Sequence, residues 1–180
     1  GADIHDEEFH EVLIRWFEYG TFCPVMRLHG YRMPYQPQYG TTGGAACVSG
    51  APNEIWSYGD KVYEICKKYI EMREAMRPYV RSLMEEAHEK GTPVMRPLFY
   101  DFPEDKKCWD NETQYMFGPE ILVAPVMEKG RKEKEVYLPA GASWKNVWTD
   151  QTYQGGQTVT VPAPMEQIPL FTKNGFKLNF

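Results

Sequence analysis

Gly91-Thr92-Pro93-Val94-Met95-Arg96-Pro97-Leu98 divides the chain into two kinds of sequence. On its N-terminal side, apolar residues recur at helical spacing: Ile55, Tyr58, Val62, Ile65, Tyr69, Met72 and Met76, then Tyr79, Val80, Leu83, Met84 and Ala87. Residues three and four apart share one helix face, so this run predicts helix from about Asn53 to Lys90. Asn53, with Glu54 behind it, is the expected N-cap. Pro78 has no N–H for the preceding turn, so a kink or two consecutive helices should meet near Arg77. Gly91 ends the run. On the C-terminal side the period changes. Short β-like runs follow at Val94–Tyr100, Gln114–Phe117, Ile121–Met127, Glu133–Leu138, Ser143–Trp148, Gln157–Val161 and Ile168–Thr172. Turn residues at Gly118-Pro119, Lys129-Gly130, Pro139-Ala140-Gly141 and Gly155-Gly156 punctuate them, a spacing that predicts an antiparallel β-sandwich.

Further upstream, Phe9, Val12, Leu13, Trp16 and Phe17 predict a helix from about Asp6 to Tyr19, with acidic residues at its positive end and Gly20 closing it. Thr21 to Gly30 has strand character. Residues 31–53 carry Pro34, Pro37 and Pro52 with Gly40, Gly43, Gly44 and Gly50, the composition of a long loop. Helix, single strand, long loop and helix pair cannot close a sheet of their own. The order is that of the last αβα portion of a (β/α)8 barrel. The expected fold is therefore an α+β arrangement, with a barrel remnant at 1–91 and a β-sandwich at 92–180.

Charge narrows the partners. A net charge of −5 disfavours nucleic acid, which needs clustered Lys and Arg. The basic run Lys129, Arg131, Lys132 and Lys134 is broken by Glu133 and Glu135 and reads as a solvated turn. The longest apolar run, Ile121 to Met127, is far short of the roughly 20 residues that span a membrane. Cys23, Cys47, Cys66 and Cys108 lie far apart without a C-x-x-C pair, which favours buried thiols over a disulfide framework or zinc site. His5 and His10 miss the four-residue spacing that puts two metal ligands on one helix face. No Gly-rich phosphate loop or nucleophile elbow is present, and no cofactor is expected. Aromatic content of 14% suits either a carbohydrate-handling surface or an aromatic core.

An ordered series of motifs resembles glycoside hydrolase family 31, above all its α-xylosidases and α-glucosidases. The series runs Ile14-Arg15-Trp16-Phe17-Glu18-Tyr19-Gly20, Phe22-Cys23-Pro24, Arg27-Leu28-His29-Gly30, Met76-Arg77-Pro78-Tyr79, and Gly91 to Leu98. Gln114-Tyr115-Met116-Phe117-Gly118, Leu122-Val123-Ala124-Pro125-Val126, Tyr137-Leu138-Pro139 and Gln167-Ile168-Pro169-Leu170-Phe171 complete it. No single motif decides, but together they span nearly the whole chain in family order. The resemblance implies that residues 6–91 hold the barrel's last two helices with the eighth strand between them, followed by the proximal sandwich.

It also implies retaining hydrolysis by two aspartates about 5–5.5 Å apart. Both belong to barrel strands expected upstream of Gly1, so the isolated chain should be inactive. His29, in the Arg-Leu-His-Gly motif, is implied to hydrogen-bond sugar hydroxyls in the −1 subsite, with Arg27 in support. Asp3 is a third candidate. The usual glycine turn is missing after it, so either it is the strand-seven aspartate with a shortened loop, or Gly1-Ala2-Asp3-Ile4 is not native sequence. Asp101, Glu104, Asp105 and Asp110 read as an exposed turn, and Glu85, Glu86 and Glu89 as a solvated helix face.

Two other functions compete with an α-xylosidase or α-glucosidase segment. The sandwich could bind carbohydrate without catalysis, presenting Trp109, Trp144, Trp148 or Tyr153 to sugar rings, or it could only buttress the barrel. Exposure of those rings separates the two. Without a barrel sheet, Phe9, Leu13, Trp16 and Phe17 would lack a partner, which predicts a loose or self-associating first half and a mobile segment 31–52.

Overall fold

The computed structural model describes residues 2–178. Helix α1 spans Glu7–Thr21, and its N-cap Asp6 accepts a hydrogen bond from the Glu8 amide at 3.0 Å. The helix runs through Gly20 and ends at Phe22, where the Phe22 amide bonds back to Tyr19 O. A 3-10 turn covers Ile55–Tyr58, and α2 spans Asp60–Ala75. Gly59, at φ +85°, starts α2 instead of Asn53, whose side chain accepts the Tyr58 hydroxyl. Helix α3, Arg77–Lys90, follows with Met76 as the only residue between the two. Pro78 sits in its first turn, where a missing N–H costs nothing, and Gly91 closes it in the left-handed conformation at φ +69°.

Among the described residues eight strands follow: β1 Met95–Pro97, β2 Tyr115–Phe117, β3 Ile121–Val123, β4 Glu133–Leu138, β5 Ser143–Asn146, β6 Thr152–Gln154, β7 Gln157–Pro162 and β8 Leu170–Lys173. All pairings are antiparallel, in one six-stranded sheet of order β1-β2-β3-β8-β5-β6 and a β4–β7 ribbon. Several strands are shorter than their apolar runs. Leu98–Asp101 turns into a one-turn helix, α4, directly after Pro97. Strand β3 stops before Pro125, which has no N–H to give a ladder. Asn146 ends β5 by accepting the amides of Trp148 and Thr149. Strand β6, exposed and polar, carried no alternation to announce it.

The six-stranded sheet is covered on both faces. Phe117, Ile121, Val123 and Leu170 join Leu13, Ile14, Phe17, Tyr69 and Met72 in a core shared with the helices. The alternate residues Met116, Leu122 and Phe171, with Trp144, face Val136, Leu138 and Val161 of the ribbon. A period of two along each strand sends neighbours to opposite faces, which is why β3 is apolar throughout. At the β2–β3 turn, Gly118 lies so close to α3 that any Cβ would run into Tyr79 and Leu83. Thus Leu13 and Phe17 are not left without a partner; they pack on the sandwich sheet. Trp16, on the outer face of α1, stays 68% exposed.

A buried polar network ties the halves together. Glu18, in the inward stripe of α1, accepts Arg15 at 3.1 Å and the Tyr69 hydroxyl at 2.9 Å. The same Tyr69 oxygen accepts the Ile168 amide at 3.0 Å. Arg15 also donates to Ala163 O and Pro164 O, in the link between β7 and β8.

Candidate functional site

The segment after α1 is rooted in the core and then runs outward. Phe22 is fully buried, edge-on to Phe117. Arg73 of α2 donates to Thr21 O, Cys23 O and Pro24 O at 2.7, 2.8 and 3.0 Å, and Tyr115 donates to Phe22 O at 3.1 Å. The guanidinium of Arg73 thereby satisfies three backbone acceptors that would otherwise sit at a helix end without partners. Residues 22–30 take part in no ladder among the described residues, so the expected strand at 21–30 is an irregular segment. A β-strand needs a neighbour to exchange hydrogen bonds.

At its outer end, Arg27 and His29 are both exposed, and Arg27 Nη2 donates to His29 Nδ1 at 3.1 Å. Arginine has no acceptor, so Nδ1 must be the acceptor and the ring proton of that tautomer sits on Nε2. In that tautomer Nε2–H is the donor the ring still has.

Asp3 pairs with the chain four residues past His29. Its backbone pairs in parallel with Met33, through Ile4 N to Met33 O at 3.1 Å and Met33 N to Ala2 O at 2.9 Å. Its exposed carboxylate accepts the His5 amide at 2.8 Å. Gly1 lies outside the described residues. The structure thus brings the backbone of Asp3 alongside the chain just past His29. His10, the other N-terminal histidine considered as a ligand, bonds Ile4 O at 2.6 Å. Among the described residues no group of His, Cys, Asp and Glu side chains could hold a metal ion, and no helix is long and apolar enough to cross a membrane.

Residues 31–53 are more ordered than a free loop. Gln36 bridges Ser49, Gly43–Ala46 forms a 3-10 turn, and the Met33–Pro34 peptide is cis. Arg32 Nε donates to Tyr58 Oη at 2.9 Å and its guanidinium lies 5.1 Å over the Phe9 ring. Neither this anchor nor the Arg73 clamp was read from the sequence. Arg73 follows Tyr69 by four residues on the buried stripe of α2, and that placement was the available signal.

The four sandwich aromatics do not form one platform. Trp144 is wholly buried with its indole N–H on Pro139 O, and Trp148 donates to Ile168 O. Tyr153 packs against Phe171, whereas Trp109 is exposed and stacked on Phe99 at 4.8 Å. That stack borders a cavity of about 1010 Å³ between α1 and the β1–β2 edge, where Val12 and Trp16 form the opposite wall with Met127 nearby.

Comparison with known proteins accounts for both halves. Residues 1–83 match the profile described as the Glycosyl hydrolases family 31 TIM-barrel domain, and residues 91–176 match the Glycosyl hydrolase family 31 C-terminal domain. The crystal structure of a GH31 α-xylosidase from a soil metagenome, complexed with xylose, superposes with a TM-score of 0.94 at 49% identity, covering 99% of this chain and 27% of that one. An α-xylosidase of Saccharolobus solfataricus is 36% identical over 93% of the chain, and α-glucosidase 2 of Bacillus thermoamyloliquefaciens is 34% identical over 92%. The chain spans about a fifth of the length of these two curated relatives, 20% and 19%. In fold and in sequence along nearly its whole length, the chain belongs to glycosyl hydrolase family 31, in which it comprises the end of the barrel domain and the C-terminal domain that follows.

Proposed function

We propose that this chain is the C-terminal part of a longer retaining α-glycosidase that hydrolyses terminal α-linked xylose or glucose, with the parts dividing near residue 91. His29 donates from Nε2 to a hydroxyl of the sugar in the −1 subsite, Arg27 holds the tautomer, and Asp3 stands beside that subsite. The carrying observation is the Arg27–His29 contact at 3.1 Å on an exposed segment rooted by Arg73. Relatives named for α-xylosidase and α-glucosidase activity supply the substrate class. The sandwich acts as a buttress. Trp144 and Trp148 spend their N–H groups on backbone carbonyls, and the Arg15–Glu18–Tyr69 network ties α1 and α2 to the β7–β8 link. The isolated chain carries no catalytic aspartate on this reading, and it self-associates through the outer face of α1.

In the full-length enzyme, His29→Ala is expected to raise the barrier by about 2–4 kcal/mol in kcat/KM, with the folded structure kept. Near-normal activity of a well-folded variant would return His29 to a structural role. The isolated chain should not turn over p-nitrophenyl α-xyloside or α-glucoside.

A further inference from the structure

The segment after His29 has a fixed base. Its two legs are joined by Gln36 N to Ser49 O at 2.8 Å and Ala51 N to Arg32 O at 2.9 Å. Gly50 comes so near the opposite leg that an added Cβ would lie 2.7 Å from Arg32 N. Arg32 is anchored in turn to Tyr58, and Met33 is paired to the Asp3 strand end. On this base stand Tyr31 and Tyr35, 57% and 52% exposed, with ring centroids 6.2 Å apart at 84°. Tyr31 is two residues past His29.

The edge-to-face contact braces the two rings against each other and leaves more than half of each side chain open. Tyrosine offers a flat apolar face with a hydroxyl at its rim, and its two χ angles lose little entropy on contact. A sugar ring has the matching shape, with apolar C–H faces and hydroxyls around the edge. A glycosidase must hold two groups, one on each side of the bond it breaks. If His29 addresses the ring that is released as the hydrolysed sugar, the next ring along the substrate needs its own support.

We propose that Tyr31 and Tyr35 form the platform for the sugar on the leaving-group side of the scissile bond. This rests on the glycosidase reading of His29 and extends it to leaving-group preference. The rings do not take part in bond breaking; they add binding for substrates whose leaving group is itself a sugar. A substrate with a small leaving group gains nothing from them.

The test compares two substrates on the full-length enzyme: the α-xylosyl or α-glucosyl fluoride, and a disaccharide of the same sugar on glucose. For the Tyr31→Ala/Tyr35→Ala variant, kcat/KM on the disaccharide should fall about tenfold, mainly through KM, while the fluoride changes by less than about twofold. Phe at both positions should restore most of the loss, since the faces remain. Equal losses on both substrates would overturn the platform, as would no loss on either, which is the result if these rings instead pack against another part of the longer protein. A wild-type enzyme inert on both substrates would overturn the glycosidase reading itself, and the platform with it.

Discussion

Trp144 and His29 mark two ways of placing a side chain in this molecule. Trp144 is sealed between the six-stranded sheet and the β4–β7 ribbon, touched on all sides and hydrogen-bonded to Pro139 O. His29 is exposed, in an irregular segment, and its ring is hydrogen-bonded by one neighbour, Arg27. Around Trp144, position follows from burial, and many contacts share the task. Around His29, position follows from a few polar bonds at the root, chiefly Arg73 on three carbonyls. Burial specifies the sheet. Hydrogen bonding specifies the segment that carries His29.

Substitution should separate the two regimes. Trp144→Ala removes the largest fully buried side chain and is expected to cost about 3–5 kcal/mol in urea unfolding of the chain. His29→Ala should change stability by no more than about 0.5 kcal/mol, because the ring is exposed. Comparable losses at the two positions would break the contrast.

Between these extremes lies Glu18, a carboxyl buried at the junction of the two halves. Burial pushes it up from 4.5 to about 7, against the opposing pull of Arg15, the Tyr69 hydroxyl and Lys68. The folded chain therefore binds this proton more tightly than the unfolded chain. The stabilisation is complete below about pH 4.5 and is lost as pH rises through about 7. Over that window the wild type should lose about 3 kcal/mol relative to Glu18→Gln, whose amide carries no titrating proton. Urea titrations at pH 5 and pH 8 measure the difference. The same slope in both proteins would place the titration elsewhere.

Legibility followed the same divide. Strand β4 coincides with its predicted run, and α1 and α3 lie close to theirs, because the apolar period records which face is covered. Strand ends were lost where Pro97, Pro125 or the Asn146 side chain intervened, since a ladder stops at a single missing or diverted bond. The helical period also concealed Glu18. Ile14, Phe17, Glu18 and Thr21 share the inward stripe of α1, so a charge on a buried face was visible but was read only as part of a family motif. His29 was singled out through a resemblance and not through periodicity, whereas the Arg32–Tyr58 anchor and the Tyr31–Tyr35 pair depend on residues brought together across a chain reversal. Periodicity contains no record of such pairs.

The smallest expected change in stability tests what the sheet does not cover. Val12 and Trp16 on α1, with Phe99, Trp109 and Met127 opposite, line a cavity of about 1010 Å³ whose lining is mostly apolar. The inward stripe of the same helix is satisfied by the sandwich core, so this outer face is the apolar surface left over. Contiguous exposed apolar surface on a small protein tends to find cover, and at high concentration the available cover is another copy. Trp16→Glu places a charge in the middle of that wall without touching a buried contact of α1. Its effect on unfolding should stay within about 0.5 kcal/mol. Its effect on association should be large: the wild-type chain is expected to sediment as a concentration-dependent oligomer, and the variant as a monomer over the same range. A wild-type chain that stays monomeric, or a variant that associates equally well, would show that the outer face of α1 does not drive assembly.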